Sequence, residues 1–356
     1  MNRYFDFNAT TPLLPEAREA WLRASERHWH NPSSLYRDAG IASQMLEAAR
    51  ERLAELFGVE AERVVFTSGA TEANNMLFAA FAGQRTAIST IEHPSVREAA
   101  RHWTRMSEFN AHGAMPDDAA LVSVMAANNE SGELLPWREL AARCREAGIP
   151  FHTDATQWIG KLAADFSGCD YVTGSAHKFG GPKGAGFLVL RDPDECIRLL
   201  RGGPQENGRR AGTENYPAIE AMVTALETVT ASMTACQASG RDAFEHAMQA
   251  SFEGLRIISA EVPRLWNTSL LVMPRHENLK WLTRLSRRGF SISTGSACSS
   301  GKEGSSVVVT ALGASPEELR RVVRLSGGWE TTKEDWLDLA AVFAEVGAEL
   351  DAGGKG

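Results

Sequence analysis

The sequence predicts an α/β architecture: a large domain built on a mainly parallel sheet, and a smaller α+β domain. Two observations carry this. Between about residues 14 and 240, short apolar runs without polar alternation recur between helical stretches, the pattern of strands buried on both faces of a parallel sheet. Beyond about 240 the runs shorten and mix with isolated helical periods, which fits a separate α+β layer. The predicted boundaries are therefore 14–240 for the large domain, with 1–13 and 241–356 together forming the small one.

The elements follow in order. An apolar stripe of Ala42, Met45, Leu46, Ala49, Leu53 and Leu56 predicts a helix over 39–57, closed by Gly58. Buried strands are expected at VVF (64–66), TAIST (86–90), LVSVMAA (121–127), IPFHTDA (149–155), CDYVTGS (169–175) and GFLVL (186–190). A long helical stretch over about 217–256 comes next. RIIS and SLLVM then read as strands, 277–288 as a helix, FSIST as a strand, and 315–323 and 333–350 as helices.

Composition narrows the function. The 356 residues carry 37 Lys and Arg against 45 Asp and Glu, a net charge of −8, with the cations scattered, so no basic footprint for nucleic acid exists. No run approaches the roughly 18 apolar residues of a membrane span, and MNRYFDFNATT has no apolar signal core, so a cytoplasmic protein is expected. The five cysteines form no CxxC pair, which argues for a reducing compartment and against structural zinc, and no metal ligand set is predicted. Cys144, Cys169, Cys196 and Cys236 lie in helical or strand patterns and read as core or neutral.

In an open parallel sheet, ligands bind beyond the carboxyl ends of the strands. Five successive strand ends here carry reactive groups: TSGATEANN (67–75), IEHPSV (91–96), NNESG (128–132), TDATQ (153–157) and GSAHKFGGPKG (174–184). SGAT leading into a helix suits a phosphate, though a plain cap reads the same way. Asp154, leaving a buried strand, needs a partner such as a protonated ring nitrogen, or serves as an N-cap. His93 is a ligand, a base, a stacking platform or a satisfied structural residue. Lys178, beside Ser175 and His177 at a strand end, is placed to act as an amine nucleophile, or is a surface-loop lysine. Taken jointly, a lysine able to form a Schiff base, a carboxylate one strand earlier and a phosphate-suited helix start describe pyridoxal phosphate binding.

Two segments remain. STGSACSSG (293–301) surrounds Cys298 with small residues, leaving the thiol accessible and able to move. RLSGG (324–328) offers Arg324 as a planar fork for a carboxylate, or as one half of an ion pair.

With these motifs in order, the sequence resembles the cysteine desulfurases of the class V aminotransferase group, in the nitrogen-fixation and iron–sulfur-cluster-assembly branch. The resemblance runs from DFNATTP (6–12) and NPSS (31–34) through the five strand-end motifs and GGPQENGRRAGTEN (202–215) to STGSACSSG and RLSGG. It implies a fold type I pyridoxal phosphate enzyme. Lys178 would hold the cofactor, Asp154 would pair with its ring nitrogen, and His93 would stack on the ring. Asn129 and Gln157 match positions near the phenolic oxygen, while Ala70, Thr71, Ser175 and His177 match the phosphate cradle. Thr213 matches a residue contributed by a neighbouring subunit, so a homodimer is implied. Arg324 matches the substrate carboxylate anchor and Cys298 the persulfide-forming nucleophile.

The implied reaction converts L-cysteine to L-alanine and leaves sulfur as a persulfide on Cys298, for delivery to a sulfur-acceptor protein in iron–sulfur or other pathways. Selenocysteine lyase, or another β-lyase of the same group, is the alternative. The sequence departs from the branch at Ala126 and Ala127, where a histidine is common two places before the asparagines, and at Tyr36, Pro204 and Gly327. It is also shorter between His93 and LVSVM and on the approach to Trp266 and Asn267. None of these removes a central group.

Overall fold

The computed structural model describes residues 3–233, 237–295 and 306–353. By their internal contacts they fall into two units, 11–126 with 135–233, and up to residue 10 with 127–134 and from 234 onward. The chain starts in the smaller unit with a two-residue strand, β1 (Arg3–Tyr4).

The larger unit opens with α1 (Pro15–Arg27) and α2 (Arg37–Phe57). Helix α2 buries Ala42, Leu46, Ala49, Leu53 and Phe57 on one face and ends at Gly58, whose φ of 66° lets its N–H reach back to the carbonyls of Ala54 and Glu55. There follow β2 (Val64–Thr67), α3 (Ala70–Ala80), β3 (Arg85–Ser89), α4 (Pro94–Trp103), β4 (Arg105–Phe109), β5 (Leu121–Ser123), α5 (Trp137–Glu146), β6 (Phe151–Asp154), β7 (Tyr171–Ser175), β8 (Gly186–Val189) and α6 (Tyr216–Ser232). One seven-stranded sheet results, in the order β2-β8-β7-β6-β5-β3-β4. All neighbours are parallel except β8, which runs antiparallel to both β2 and β7.

The apolar runs that mark these strands are buried on both faces: Val65, Ile88, Leu121 and Leu188 pack with Met76, Leu77 and Phe78 of α3. Strand β4 lies at one edge and is half-exposed. The other edge, β2, is closed by side chains. Val64 O accepts from Arg50 Nη1 at 2.7 Å, and Phe66 N donates to Glu206 Oε2 at 2.8 Å. Arg50 and Glu206 also bond each other twice, at 2.8 and 2.9 Å.

The smaller unit adds α7 (Ser239–Ser251), β9 (Arg256–Ile257), β10 (Thr268–Val272), α8 (Asn278–Arg287), β11 (Phe290–Ser291), α9 (Val307–Ala311), α10 (Pro316–Leu319), β12 (Val322–Ser326) and α11 (Lys333–Gly353). Strands β9, β10 and β12 form an antiparallel sheet with β10 central, and β1 pairs parallel with β11. An aromatic core of Phe5, Phe244, Trp281, Trp336 and Phe343 holds this unit, with Phe5 and Trp336 edge to face at 4.8 Å.

Several expectations need correction. The helix expected over 217–256 is two helices, α6 and α7. The helix expected over 315–323 stops at Leu319 after a Ser315/Glu318 capping box, because the β-branched pair Val322 and Val323 joins β10 instead. LVSVMAA pairs on both sides only through Ser123, although Val124 and Ala126 still donate to β6. The NNESG segment, read as part of the large domain, belongs to the smaller unit: Asn128 N bonds Glu133 O, and Leu265 N bonds Gly132 O. Cys196 is exposed on a loop rather than in a helix or strand, whereas Cys144 and Cys169 are buried. Cys236 and Cys298 lie outside the described residues. No described helix is long and apolar enough to cross a membrane.

Candidate active site

Strands β2, β3, β5, β6 and β7 point the same way, so the turns after them share one edge of the sheet. After β2 the chain turns at Gly69, whose φ of 152° only glycine adopts readily. The backbones there are tightly drawn in: a Cβ on Gly186 would lie 2.5 Å from Gly69 Cα, and one on Gly69 would lie 3.3 Å from Ser175 Oγ. Helix α3 therefore starts beside Ser175. No side chain caps its first turn, so the amides from Ala70 and Thr71 onward keep the positive end of the helix dipole for an anion. Burial pushes the Glu72 carboxyl up, but hydrogen bonds from Arg210 and Ser68 more than offset this and hold it below its ordinary range.

After β3, His93 caps α4, its Nδ1 accepting from Ser95 N at 3.1 Å. Burial lowers its pKa, and the charges of both Asp154 and Lys178 are felt at the ring, which places the three groups together. Its neighbour Glu92 is 1% exposed. Glu92 Oε1 accepts from Ser89 Oγ at 2.7 Å and from Met125 N at 2.6 Å, while Oε2 is buried without a partner among the described residues. Burial raises this carboxyl to about 8, with Asp154 adding to the rise, so it is largely neutral at physiological pH.

After β6, Asp154 Oδ1 accepts from Thr156 N at 3.0 Å and Oδ2 from Asn74 Nδ2 at 3.2 Å. It caps the turn after β6 and is a buried carboxylate; no helix follows β6, so the N-cap alternative is not met. Gln157 is buried, its Oε1 accepting from Lys161 Nζ at 3.0 Å, which turns the amide oxygen toward that lysine. After β7, a short 3-10 turn (Ala176–Lys178) carries His177 and Lys178, both half-buried. Burial, then the charges of Lys178, Lys183 and Lys161, push His177 down to about 4. Thr11 pins this turn: its N and Oγ1 donate to His177 O at 2.9 and 3.0 Å, and Gly180 N donates to Thr11 Oγ1 at 2.8 Å.

Thus Ala70, His93, Asp154, Gln157, Ser175, His177 and Lys178 gather at one sheet edge, with Thr71 exposed on the first turn of α3. Thr213 is exposed on the loop before α6. Sequence reasoning passed over Glu92, Asn74, Thr11 and Lys161. Glu92 had a signal, a carboxylate one residue beyond the apolar TAIST run and beside His93.

In the smaller unit, Arg324 is 1% exposed on β12. It donates to Asp6 Oδ1 from Nη2 at 2.6 Å and to Asn129 O from Nη1 at 3.1 Å. Arg324 Nε and Asn129 Oδ1 are both buried without a partner among the described residues. Buried polar atoms are rarely left so, and here the orphans fall on residues expected to meet substrate and cofactor.

The aminotransferase class-V family matches residues 3–339. A cysteine desulfurase of Rhodobacter capsulatus is 38% identical over 98% of this chain and 97% of its own length. A solved structure titled NIFS-like protein superposes with a TM-score of 0.87 at 28% identity, covering 98% of this chain and all of that one. Another, titled SspA in complex with cysteine, gives 0.79 at 29% identity over 91% of this chain and 98% of that one.

The chain belongs to the aminotransferase class-V family. Within that family it is a cysteine desulfurase of the IscS type, a pyridoxal phosphate-dependent enzyme of fold type I that transfers sulfur through a persulfide. The residues of the larger unit fit this family's cofactor: an uncapped helix start for a phosphate, a buried carboxylate for a ring nitrogen, and a lysine and a histidine beside it.

Proposed function

We propose that the desulfurase reaction runs on the residues described above, in the following roles. Lys178 holds the cofactor and moves the Cα proton of L-cysteine. Asp154 would keep the cofactor's ring nitrogen protonated, His93 would stack on the ring, and Asn129 and Gln157 would serve its phenolic oxygen. Ala70, Thr71, Ser175 and His177 hold the phosphate, with His177 neutral because its pKa is pushed to about 4. Arg324 takes the substrate carboxylate through the part of its fork that Asp6 and the Asn129 carbonyl leave open. When bound, pyridoxal phosphate supplies the electron sink that makes the Cα–H bond acidic and the Cβ–S bond labile.

Sulfur then passes to this chain. The Cys298 thiolate attacks the sulfur of L-cysteine, a new S–S bond forms, and the Cβ–S bond breaks with its electron pair going to carbon. Protonation of that carbon completes L-alanine, and Cys298 is left as a persulfide. The balance closes without an outside oxidant: one L-cysteine and one thiol give one L-alanine and one persulfide. Within STGSACSSG, small residues suit an arm that carries the persulfide to an acceptor protein.

The proposal extends to a homodimer in the cytoplasm. Thr213 is exposed where the family contributes a residue to its neighbour, and residues 21–41 expose Trp21, Leu22, Trp29, Leu35 and Tyr36, an apolar surface that a second copy would cover.

The observation that carries the reading is the gathering of Lys178, Asp154 and His93, with both charges felt at the histidine. The test is incubation with L-cysteine and a reductant while alanine and sulfide are measured together. Equal yields in the wild type, with sulfide release lost in Cys298→Ser, are expected. Sulfide without alanine, or undiminished turnover in Cys298→Ser, would overturn these roles.

A further inference from the structure

One chain of buried groups in the larger unit has its proton positions fixed by elimination. Ser123 Oγ lies 2.8 Å from His152 Nδ1, and His152 Nε2 lies 3.1 Å from Thr173 Oγ1. Thr173 Oγ1 is 2.7 Å from Asn74 Oδ1. Asn74 Nδ2 is 3.2 Å from Asp154 Oδ2 and 2.9 Å from Ser95 Oγ, which is 2.8 Å from His93 Nδ1. Asn74, Ser123, His152 and Thr173 have no measurable exposure.

An amide oxygen only accepts, so the Thr173 hydroxyl donates to Asn74 Oδ1, and Thr173 must itself accept from His152 Nε2–H. Burial holds His152 well below the ordinary histidine range, so the ring is neutral and Nδ1 accepts from Ser123. The reverse orientation of Asn74 would set its amide oxygen against the Asp154 carboxylate, which fixes the amide as described. Both of its protons are then used, one on Asp154 and one on Ser95. Ser95, accepting from Asn74, gives its own hydroxyl proton to His93 Nδ1, which already accepts from Ser95 N. His93 is thereby held as the neutral tautomer with its proton on Nε2.

We propose that Asn74 is a positioning residue of this active site, one amide that orients the Asp154 carboxylate and, through Ser95, fixes the tautomer of His93. Every bond in the relay points toward Asn74 on one side and away from it on the other, so polarisation from Ser123 onward adds to the donor strength of the amide. Asn74 stands on α3, one turn after the residues assigned to the phosphate, so the same helix sets both features. The inference rests on the roles proposed for Asp154 and His93.

The test uses holoenzyme reconstituted with pyridoxal phosphate carrying a 15N ring nitrogen, without substrate, at one neutral pH. The chemical shift reports protonation of that nitrogen directly, and 15N-histidine labelling reports the tautomer of His93. Asp154→Asn is the reference and should move the ring nitrogen to its unprotonated position. Asn74→Ala should move it at least halfway in that direction and mix the two tautomers of His93. Thr173→Val, which keeps the side-chain shape and leaves Asn74 in place, should give a smaller shift of the same sign, and Thr173→Ser should restore the wild-type value. If Asn74→Ala does not fold, Thr173→Val and its rescue decide. A wild-type ring nitrogen in Asn74→Ala, or in Thr173→Val where that variant decides, overturns the inference when Asp154→Asn shifts it. If Asp154→Asn leaves the nitrogen unchanged, the reading of Asp154 itself fails.

Discussion

Arg324 and Asp6 are joined by a 2.6 Å hydrogen bond in which a guanidinium that is 1% exposed keeps its Nε without a partner among the described residues. The bond to Asp6 and the one to the Asn129 carbonyl hold two arms of the fork, so the remaining edge is set in direction before any ligand arrives. A lysine at this position has a point charge but no fork. Arg324→Lys is therefore expected to raise KM for L-cysteine roughly tenfold or more, equivalent to about 1.4 kcal/mol per factor of ten, with a smaller change in kcat. Steady-state kinetics check this, and an unchanged KM would assign Arg324 to the ion pair alone.

Cys298 separates cofactor binding from sulfur transfer. Cys298→Ser should bind pyridoxal phosphate as the wild type does and show the same visible absorption, yet form no persulfide from L-cysteine. Mass spectrometry of the peptide spanning residue 298 after brief exposure to L-cysteine should find an added sulfur atom in the wild type only. Sulfur carried on Cys196, the exposed thiol of the larger unit, would redirect the mechanism.

Glu92 gives a pH prediction whose sign follows from its raised pKa of about 8. A carboxyl that holds its proton more tightly when folded contributes stability below the ordinary carboxylate range, and that contribution is lost as pH rises through about 8. Glu92→Gln cannot ionise. Relative to wild type, its melting temperature should improve steadily between about pH 5 and about pH 9, as the wild-type group is forced to charge in a buried place. Parallel melting curves across that range would show that Glu92 is ionised throughout.

The Arg50–Glu206 pair is buried on both sides, with side-chain exposures of 5% and 2%. Removing Glu206 leaves Arg50 buried with only the exposed Glu47 carboxylate to pair with, so Glu206→Ala should cost up to about 3–5 kcal/mol in urea unfolding. Arg50→Met with Glu206→Leu, which removes both charges together, should recover a large part of that loss. Equal losses in the single and double variants would mean that packing, not charge, governs the site.

Some of this site could be read before any coordinates because its groups sit directly after apolar runs. Asp154 ends a buried strand, and Lys178 and His93 follow buried strands within four residues, where a charged or titratable residue stands out. Asn74 did not stand out: it is one of two adjacent asparagines, and only folding shows that Asn74 faces Asp154 and Thr173 while Asn75 merely bonds Thr71 O one turn back. Thr11 was hidden for a similar reason, since its partners His177 and Gly180 lie more than 160 residues away. The fold followed the same division. Strands defined by continuous apolar runs were found, whereas Val322 and Val323 read as the end of a helix over 315–323 until β10 is available to pair with them.

The side chains that close the β2 edge have a consequence for the protein's life in a crowded solution. Arg50 offers an N–H and Glu206 an oxygen where an incoming strand would offer its own, so Val64 O and Phe66 N are already paired when a passing chain arrives. Edge-to-edge polymerisation is thereby denied a template on the most apolar rim of the sheet.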